Sequence, residues 1–291
     1  MEKKIHHWVK NAPSNEELFR KVVHIVIYAI SLNAGFSESM VLKGGILMGI
    51  SYQSSRYTTD IDFSNRNIIR KADYDSFEKE FNSLLNESTI ELLYNITCKI
   101  QSHEFKPKHE NSEFPSLKVK IGYADKNNKQ LVKRLLEGTG SSSTLSIDFS
   151  FNEEIGSVEE LTIEGENSIS VYTLESMISE KLRSVLQQPI RNRNRRQDIY
   201  DLHYLITNNI ECKNDQVKYN VLELLFLKSE GKGIDNYLHK DALNDKDIIL
   251  RSKKEYSTLQ DEIYDRLPIF EDIYEHVNEY YRSLPWEFYE I

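Results

Sequence analysis

The sequence predicts an α/β (α+β) protein in which a mixed-sheet domain at residues 1–171 precedes a helical domain at 172–291. Three observations predict it. Segments with strict apolar/polar alternation, the period of a half-buried strand, lie before residue 171. Helical spacing of apolar residues dominates after it. Gly and Pro supply only 11 and 6 of 291 residues, about half their usual share of roughly 12%, which excludes collagen-like and low-complexity chains.

Taken in order, Leu18, Val22, Val23, Val26 and Ile30 recur at helical spacing, giving an amphipathic helix over 16–34 that Gly35 is expected to end. VLKGGILMGISYQ then reads as a strand end, a Gly pair and a short apolar helix, and TTDIDFS as the strand that follows. Further strands are marked by Ile96, Cys98 and Ile100; by Leu117, Val119 and Ile121; by Leu145, Ile147, Phe149 and Phe151; and by SISVY. Residues 102–116 and 138–143 read as loops, with a short surface helix in NNKQLVKRLLEG. Thr173 is placed to cap the helix LESMISEKLRSVLQQ, which Pro189 and an Arg/Asn loop stop, and a second helix runs from about Gln197 to Ile206. VKYNVLELLFLK, DIILRSKKEYSTLQDEIYDRL and FEDIYEHVNEYYRSL continue the helical pattern.

The formal charge of −9 argues against nucleic-acid binding through the bulk field and leaves room for a local basic patch. Cys98 and Cys212 are too few for a disulfide framework or a Cys-based zinc site and suit a reducing compartment. The start MEKKIHHWVK lacks the apolar stretch of a signal peptide, and the longest apolar run, Ile25 to Ile30, is far below the ~18 residues of a membrane span. The sequence therefore reads as a cytoplasmic protein with no membrane partner.

Asp60 and Asp62 lie two apart on a strand, so both carboxylates face one way while Ile61 and Phe63 face the core. A divalent cation relieves their repulsion, and Mg²⁺ favours one or two carboxylates plus phosphate oxygens and water. Such pairs also occur by chance in an acidic chain, as at Asp73/Asp75 and Asp245/Asp247. Gly44 and Gly45 precede the pair across a short helix, where backbone N–H groups and the positive helix end can face an anion. Asp148 stands opposite the buried face of its own strand and completes a metal site if the strands are neighbours. Lys181 falls in the apolar stripe of Leu174, Met177, Ile178, Leu182 and Val185, so its amine must either snorkel to water or meet an anion, whether phosphate or carboxylate. Arg191, Arg193, Arg195 and Arg196 lead into a helix carrying Asp198 and Asp201; the acids, a triphosphate or an RNA backbone could balance them. No HExxH, Ser/His/Asp or P-loop spacing is present.

VLKGGILMGISYQSSRYTTDIDFS, then LSIDFSFNE, then VYTLESMISEKLRSVLQQ and RRQDIYDLHYLI resemble, in order and spacing, the abortive-infection nucleotidyltransferase toxins of AbiEii/AbiGii type. These belong to the polymerase-β-like nucleotidyltransferase superfamily, whose fold the resemblance implies for the first domain, with the helical domain completing an active-site cleft. It further implies transfer of NMP from NTP, with release of pyrophosphate, to tRNA or another RNA, by the toxin of a bacterial toxin–antitoxin or phage-defence system with a cognate antitoxin. Gly44 and Gly45 would hold the triphosphate, and Asp60, Asp62 and Asp148 would ligate two Mg²⁺ ions, Asp148 also serving as base. Lys181 and Arg196 would bind phosphate, and Asp198 would support the site. The chain departs from the family at Ile46, where a Ser or Thr is usual, and at Gln197, which separates Arg196 from Asp198. Two other readings are a catalytically weak member that binds RNA or a partner protein, and a small-molecule nucleotidyltransferase.

Overall fold

A computed structural model describes residues 4–107 and 114–289. The chain forms two compact units, one comprising residues 1–53, 58–153 and 159–171 and the other residues 54–57, 154–158 and 172–291. No helix among the described residues is long and apolar enough to cross a membrane.

The first unit begins with α1 (Lys4–Lys10), α2 (Glu17–Ser31) and α3 (Ala34–Ser39), then β1 (Met40–Lys43), α4 (Gly44–Tyr52) and β2 (Asp60–Asn65). It continues through α5 (Tyr74–Glu91), β3 (Ile96–Lys106), β4 (Ser116–Asp125), α6 (Lys129–Leu136), β5 (Thr144–Phe151), β6 (Val158–Glu164) and β7 (Asn167–Tyr172). The seven strands make one mixed sheet in the order β3-β4-β5-β2-β1-β7-β6. β2 runs parallel to β5 and antiparallel to β1, and β4 is antiparallel to both β3 and β5. One face of the central strands carries Ile61, Phe63, Ile147 and Phe149, all fully buried. Phe63 stacks on Phe149 with centroids 5.6 Å apart, and Phe77 of α5 meets Phe149 edge-on.

Several elements differ from the sequence reading. The first long helix stops at Ser31 rather than Gly35, because the Asn33 side chain accepts a hydrogen bond from the Phe36 N–H and starts α3, in which Gly35 lies. β3 extends to Lys106, since Ser102 to Lys106 pair with β4 after a register shift; the expected loop shrinks accordingly, and its residues 108–113 lie outside the described residues. Helices α1 and α5 and strand β6 were not anticipated. Tyr74, Phe77, Phe81, Leu85 and Ser88 of α5 are buried at three- and four-residue spacing among charged neighbours, a one-sided stripe.

The second unit holds α7 (Leu174–Leu186), α8 (Gln188–Arg191), α9 (Arg196–Asn208), α10 (Asp215–Ser229), α11 (Lys246–Lys253) and α12 (Phe270–Arg282). Thr173 caps α7 as expected, its hydroxyl accepting from the Ser176 N–H. The helical pattern expected to run on from α11 breaks at Glu255, whose φ is 60°, and gives way to a 3₁₀ segment ending at Glu262. There the chain turns extended, because Ile263 bridges Arg56 and the Glu262 carbonyl accepts from the Tyr57 N–H.

Four charged groups meet inside this unit. Arg56 donates from Nε and Nη2 to the two carboxylate oxygens of Asp201, both at 2.8 Å. Lys181 donates from Nζ to Asp201 Oδ2 at 2.6 Å and to Asp198 Oδ1 at 3.3 Å. Asp201 is fully buried and Lys181 nearly so. Burial alone would raise the Asp201 pKa, but Arg56 and then Lys181 outweigh it and bring the carboxyl down to about 2. Burial likewise disfavours the Lys181 ammonium, and Asp201 and Asp198 more than reverse this, raising its pKa.

Removing one partner from such a cluster leaves the others charged and buried, which typically costs about 3–5 kcal/mol. Lys181→Met is therefore expected to lower the unfolding free energy by an amount of that order in urea titration, and unchanged stability would show that the cluster is not holding the unit. A depressed carboxyl pKa stabilises fully above the unfolded-state value of about 4 and loses its contribution as pH falls toward the folded value. Stability should accordingly decline from about pH 4 toward pH 2 and Asp201→Asn, though less stable at neutral pH, should show a flatter decline; an identical acid profile would remove Asp201 as its source.

Candidate active site

In parallel pairing of β2 with β5, Asp60 lies opposite Ser146 and Asp62 opposite Asp148. Directly paired residues share a face, and so do residues two apart, so Asp60, Asp62 and Asp148 stand together on the face opposite Ile61, Phe63, Ile147 and Phe149. The row extends on both sides: Lys43 of β1 pairs with Asp62, and Lys118 of β4 pairs with Asp148. Two adjacent acids are thus flanked by two lysines across four strands.

The lysines are not equivalent. Lys118 donates to Asp148 Oδ2 at 3.1 Å, and while burial opposes its charge, Asp148 first and then Asp60 and Asp62 raise its pKa. Lys43 is buried and forms an ion pair with Glu153, whose Oε2 also accepts from the Ser64 hydroxyl at 3.0 Å. Lys118 is thus bonded directly to a member of the triad.

α4 starts where β1 ends, placing its N-terminus beside the same row. Gly44 has φ +74°, and a Cβ there would sit 2.2 Å from Asp62 Oδ2; a Cβ on Gly45 would come within 3.0 Å of Thr58. Glycine is needed at position 44 for both its backbone angle and the room it leaves a carboxylate. The first N–H groups of a helix have no partner within it and carry the positive end of its dipole, so Gly44 and Gly45 can present donors to an anion next to Asp62. Ile46, at the position where a hydroxyl was expected by resemblance, points into the core and is 1% exposed.

The structure thus brings Gly44, Gly45, Asp60, Asp62 and Asp148 together in the first unit. Lys181 and Asp198 meet in the second, where Lys181 takes the carboxylate alternative rather than snorkelling to water. Arg196 donates to Glu262 Oε1 at 2.7 Å, and Arg195 lies 3.8 Å from Asp198. Sequence reasoning missed Lys118, Lys43, Glu153 and Arg56. Lys118 was visible as a polar position of an alternating strand, but only strand order reveals it as Asp148's neighbour; Arg56, in a loop 145 residues from Asp201, gave no signal.

Three carboxylates on one face offer only hard oxygen donors, the set that suits Mg²⁺ rather than a softer metal. Like charges directly opposite on neighbouring strands repel, and Lys118 bonds only one of the three. The residues present therefore fit a divalent cation at Asp60, Asp62 and Asp148.

The fold is similar to that of JHP933 from Helicobacter pylori, with a TM-score of 0.53 and 12% identity over 95% of this chain and 94% of that one. A second H. pylori structure, of a protein described as a candidate nucleotidyltransferase, matches with a TM-score of 0.49 and 14% identity over 96% and 100% of the two chains. A comparison with curated proteins returns no match. Residues 26–276 match the family described as the nucleotidyl transferase AbiEii toxin of type IV toxin–antitoxin systems. That match covers most of the chain, which therefore belongs to the AbiEii nucleotidyl transferase toxin family.

Proposed function

We propose that this family member transfers a nucleoside monophosphate from an NTP to a hydroxyl of tRNA or another RNA, and that this transfer is its toxic activity. The observation that carries the reading is the in-register pairing of Asp62 with Asp148, with Asp60 on the same face and the Gly44 turn closed against Asp62. Asp60, Asp62 and Asp148 would hold two Mg²⁺ ions, which when bound neutralise phosphate charge and make a hydroxyl more acidic. The backbone N–H groups of Gly44 and Gly45 orient the triphosphate. Asp148 accepts the proton of the attacking hydroxyl as the new bond to the α-phosphorus forms; the α–β bridging P–O bond breaks, and pyrophosphate leaves with its electron pair. Positioning and charge complementarity supply most of the acceleration in such reactions.

Lys118, bonded to Asp148, holds that carboxylate in place. For Lys181 and Arg196 we propose phosphate contacts, with Asp198 in support; both cations are paired with carboxylates, so each would exchange a partner to take up phosphate. The acidic chain would then meet RNA through a local basic surface such as the exposed Arg191 to Arg193 segment rather than through its overall field. Membership of a type IV toxin–antitoxin family implies a cognate antitoxin, and we place the activity in the cytoplasm.

Asp62→Asn keeps the size of the side chain and removes the charge that ligates metal. With labelled NTPs, Mg²⁺ and total cellular RNA, the parent should label RNA, and Asp62→Asn should label it about 100-fold less or worse while unfolding at a similar temperature. The parent should also slow bacterial growth on expression, and the variant should not. Equal labelling would refute the metal assignment, and equal toxicity without labelling would favour a toxin that acts by binding.

A further inference from the structure

Eight histidines are spread through the sequence with no metal-binding spacing, yet the fold of the first unit gathers two of them with a carboxylate. His6 lies on α1, His24 on α2 and Glu164 at the end of edge strand β6. One ligand atom from each lies within 4.8 Å of the others. We propose that His6, His24 and Glu164 form a zinc site, separate from the carboxylate triad, that fastens α1 to α2 and to the sheet edge.

Three features support this assignment. The donors are two imidazole nitrogens and one carboxylate oxygen, a set that suits Zn²⁺ with three protein ligands and a water. The imidazole centroids of His6 and His24 are 5.2 Å apart; two imidazoles on one tetrahedral zinc, with Zn–N of about 2.0 Å, have centroids roughly 5 Å apart. His24, 1% exposed, has its Nδ1 3.0 Å from the Tyr94 hydroxyl. In the tautomer in which Nδ1–H donates to that oxygen, Nε2 is the ligating nitrogen and the ring is held in place, the arrangement usual for metal-bound histidine.

His6 Nε2 and Glu164 Oε2 are 2.7 Å apart, a hydrogen-bonding separation that a shared ion would widen to roughly 3.3 Å for tetrahedral ligands at about 2.0 Å. Both side chains are 37% exposed, and the wider separations, within 4.8 Å, would close as the ion binds. The three residues are 18 and 140 positions apart along the chain, which is why no sequence motif announces them.

The test uses the untagged full chain, stripped with a chelator and titrated with Zn²⁺ in a large excess of Mg²⁺ so that the carboxylate triad is occupied. The parent should bind about one Zn²⁺ per chain, and its melting temperature should rise on binding. His6→Ala and Glu164→Gln, both at partly exposed positions, should each weaken zinc affinity about tenfold or more and remove the zinc-dependent rise in melting temperature. If one variant fails to fold, the other decides. Asp60→Asn should leave zinc affinity unchanged. Absence of zinc binding by the parent, parent-like affinity in a folded ligand variant, or loss of zinc binding in Asp60→Asn would each overturn the site.

Discussion

Asp62 and Asp148 face each other directly on neighbouring parallel strands, with Asp60 two residues along on the same face, and the sheet must hold these charges together against their repulsion. For a pair about 4 Å apart that repulsion is roughly 1 kcal/mol in water and about 4 kcal/mol at an effective dielectric of 20. The opposite face supplies the restraint. Ile61, Phe63, Ile147 and Phe149 are fully buried there, and each such side chain contributes about 1.5–3 kcal/mol. Sliding β2 by one residue would turn Ile61 and Phe63 out of the core and Asp62 into it, so the apolar face fixes the register that concentrates the acids. The proposed catalytic geometry is in this sense a consequence of hydrophobic packing on the other side of the same strands.

The second unit solves a similar problem differently. Asp201, with Asp198 one turn away on α9, is enclosed rather than left facing a polar surface, and Arg56 and Lys181 neutralise it through four hydrogen bonds that include Asp198. A cluster of this kind is sensitive to removal of any one member, because the remaining charges have no water to turn to. In the first unit, Lys118 donates to Asp148 of the carboxylate triad. Another buried lysine, Lys228, is satisfied by the carbonyls of Glu154 and Ile155 and lies over the Tyr172 ring, a further case in which burial of a cation is matched by specific acceptors.

Much of this was legible in the sequence because it depends on local period. Alternation set the faces of β2 and β5 and so placed Asp60, Asp62 and Asp148 opposite the core; the Gly pair marked the turn; Thr173 marked the start of α7. What was not legible depends on which distant segments meet. Strand order alone makes Lys118 the neighbour of Asp148, and only tertiary contact makes Arg56 the partner of Asp201. On the sequence, Lys181 is a lone amine on an apolar stripe; with Asp201 sealed beneath it, Lys181→Met uncovers a buried charge. Helix α5 was missed because its mean polarity is high and its apolar stripe narrow, and the break at Glu255 was missed because the chain leaves the helix to bridge Arg56.

The central claim is that register-locked carboxylates form a cation site at the Gly44 turn. Anomalous diffraction from a crystal soaked in Mn²⁺ and a non-hydrolysable NTP tests it most directly. The account predicts a manganese peak about 2.0–2.3 Å from carboxylate oxygens of Asp60, Asp62 and Asp148, with the triphosphate against the Gly44 and Gly45 N–H groups. Ordered nucleotide bound elsewhere, or full manganese occupancy away from these three residues, would contradict it.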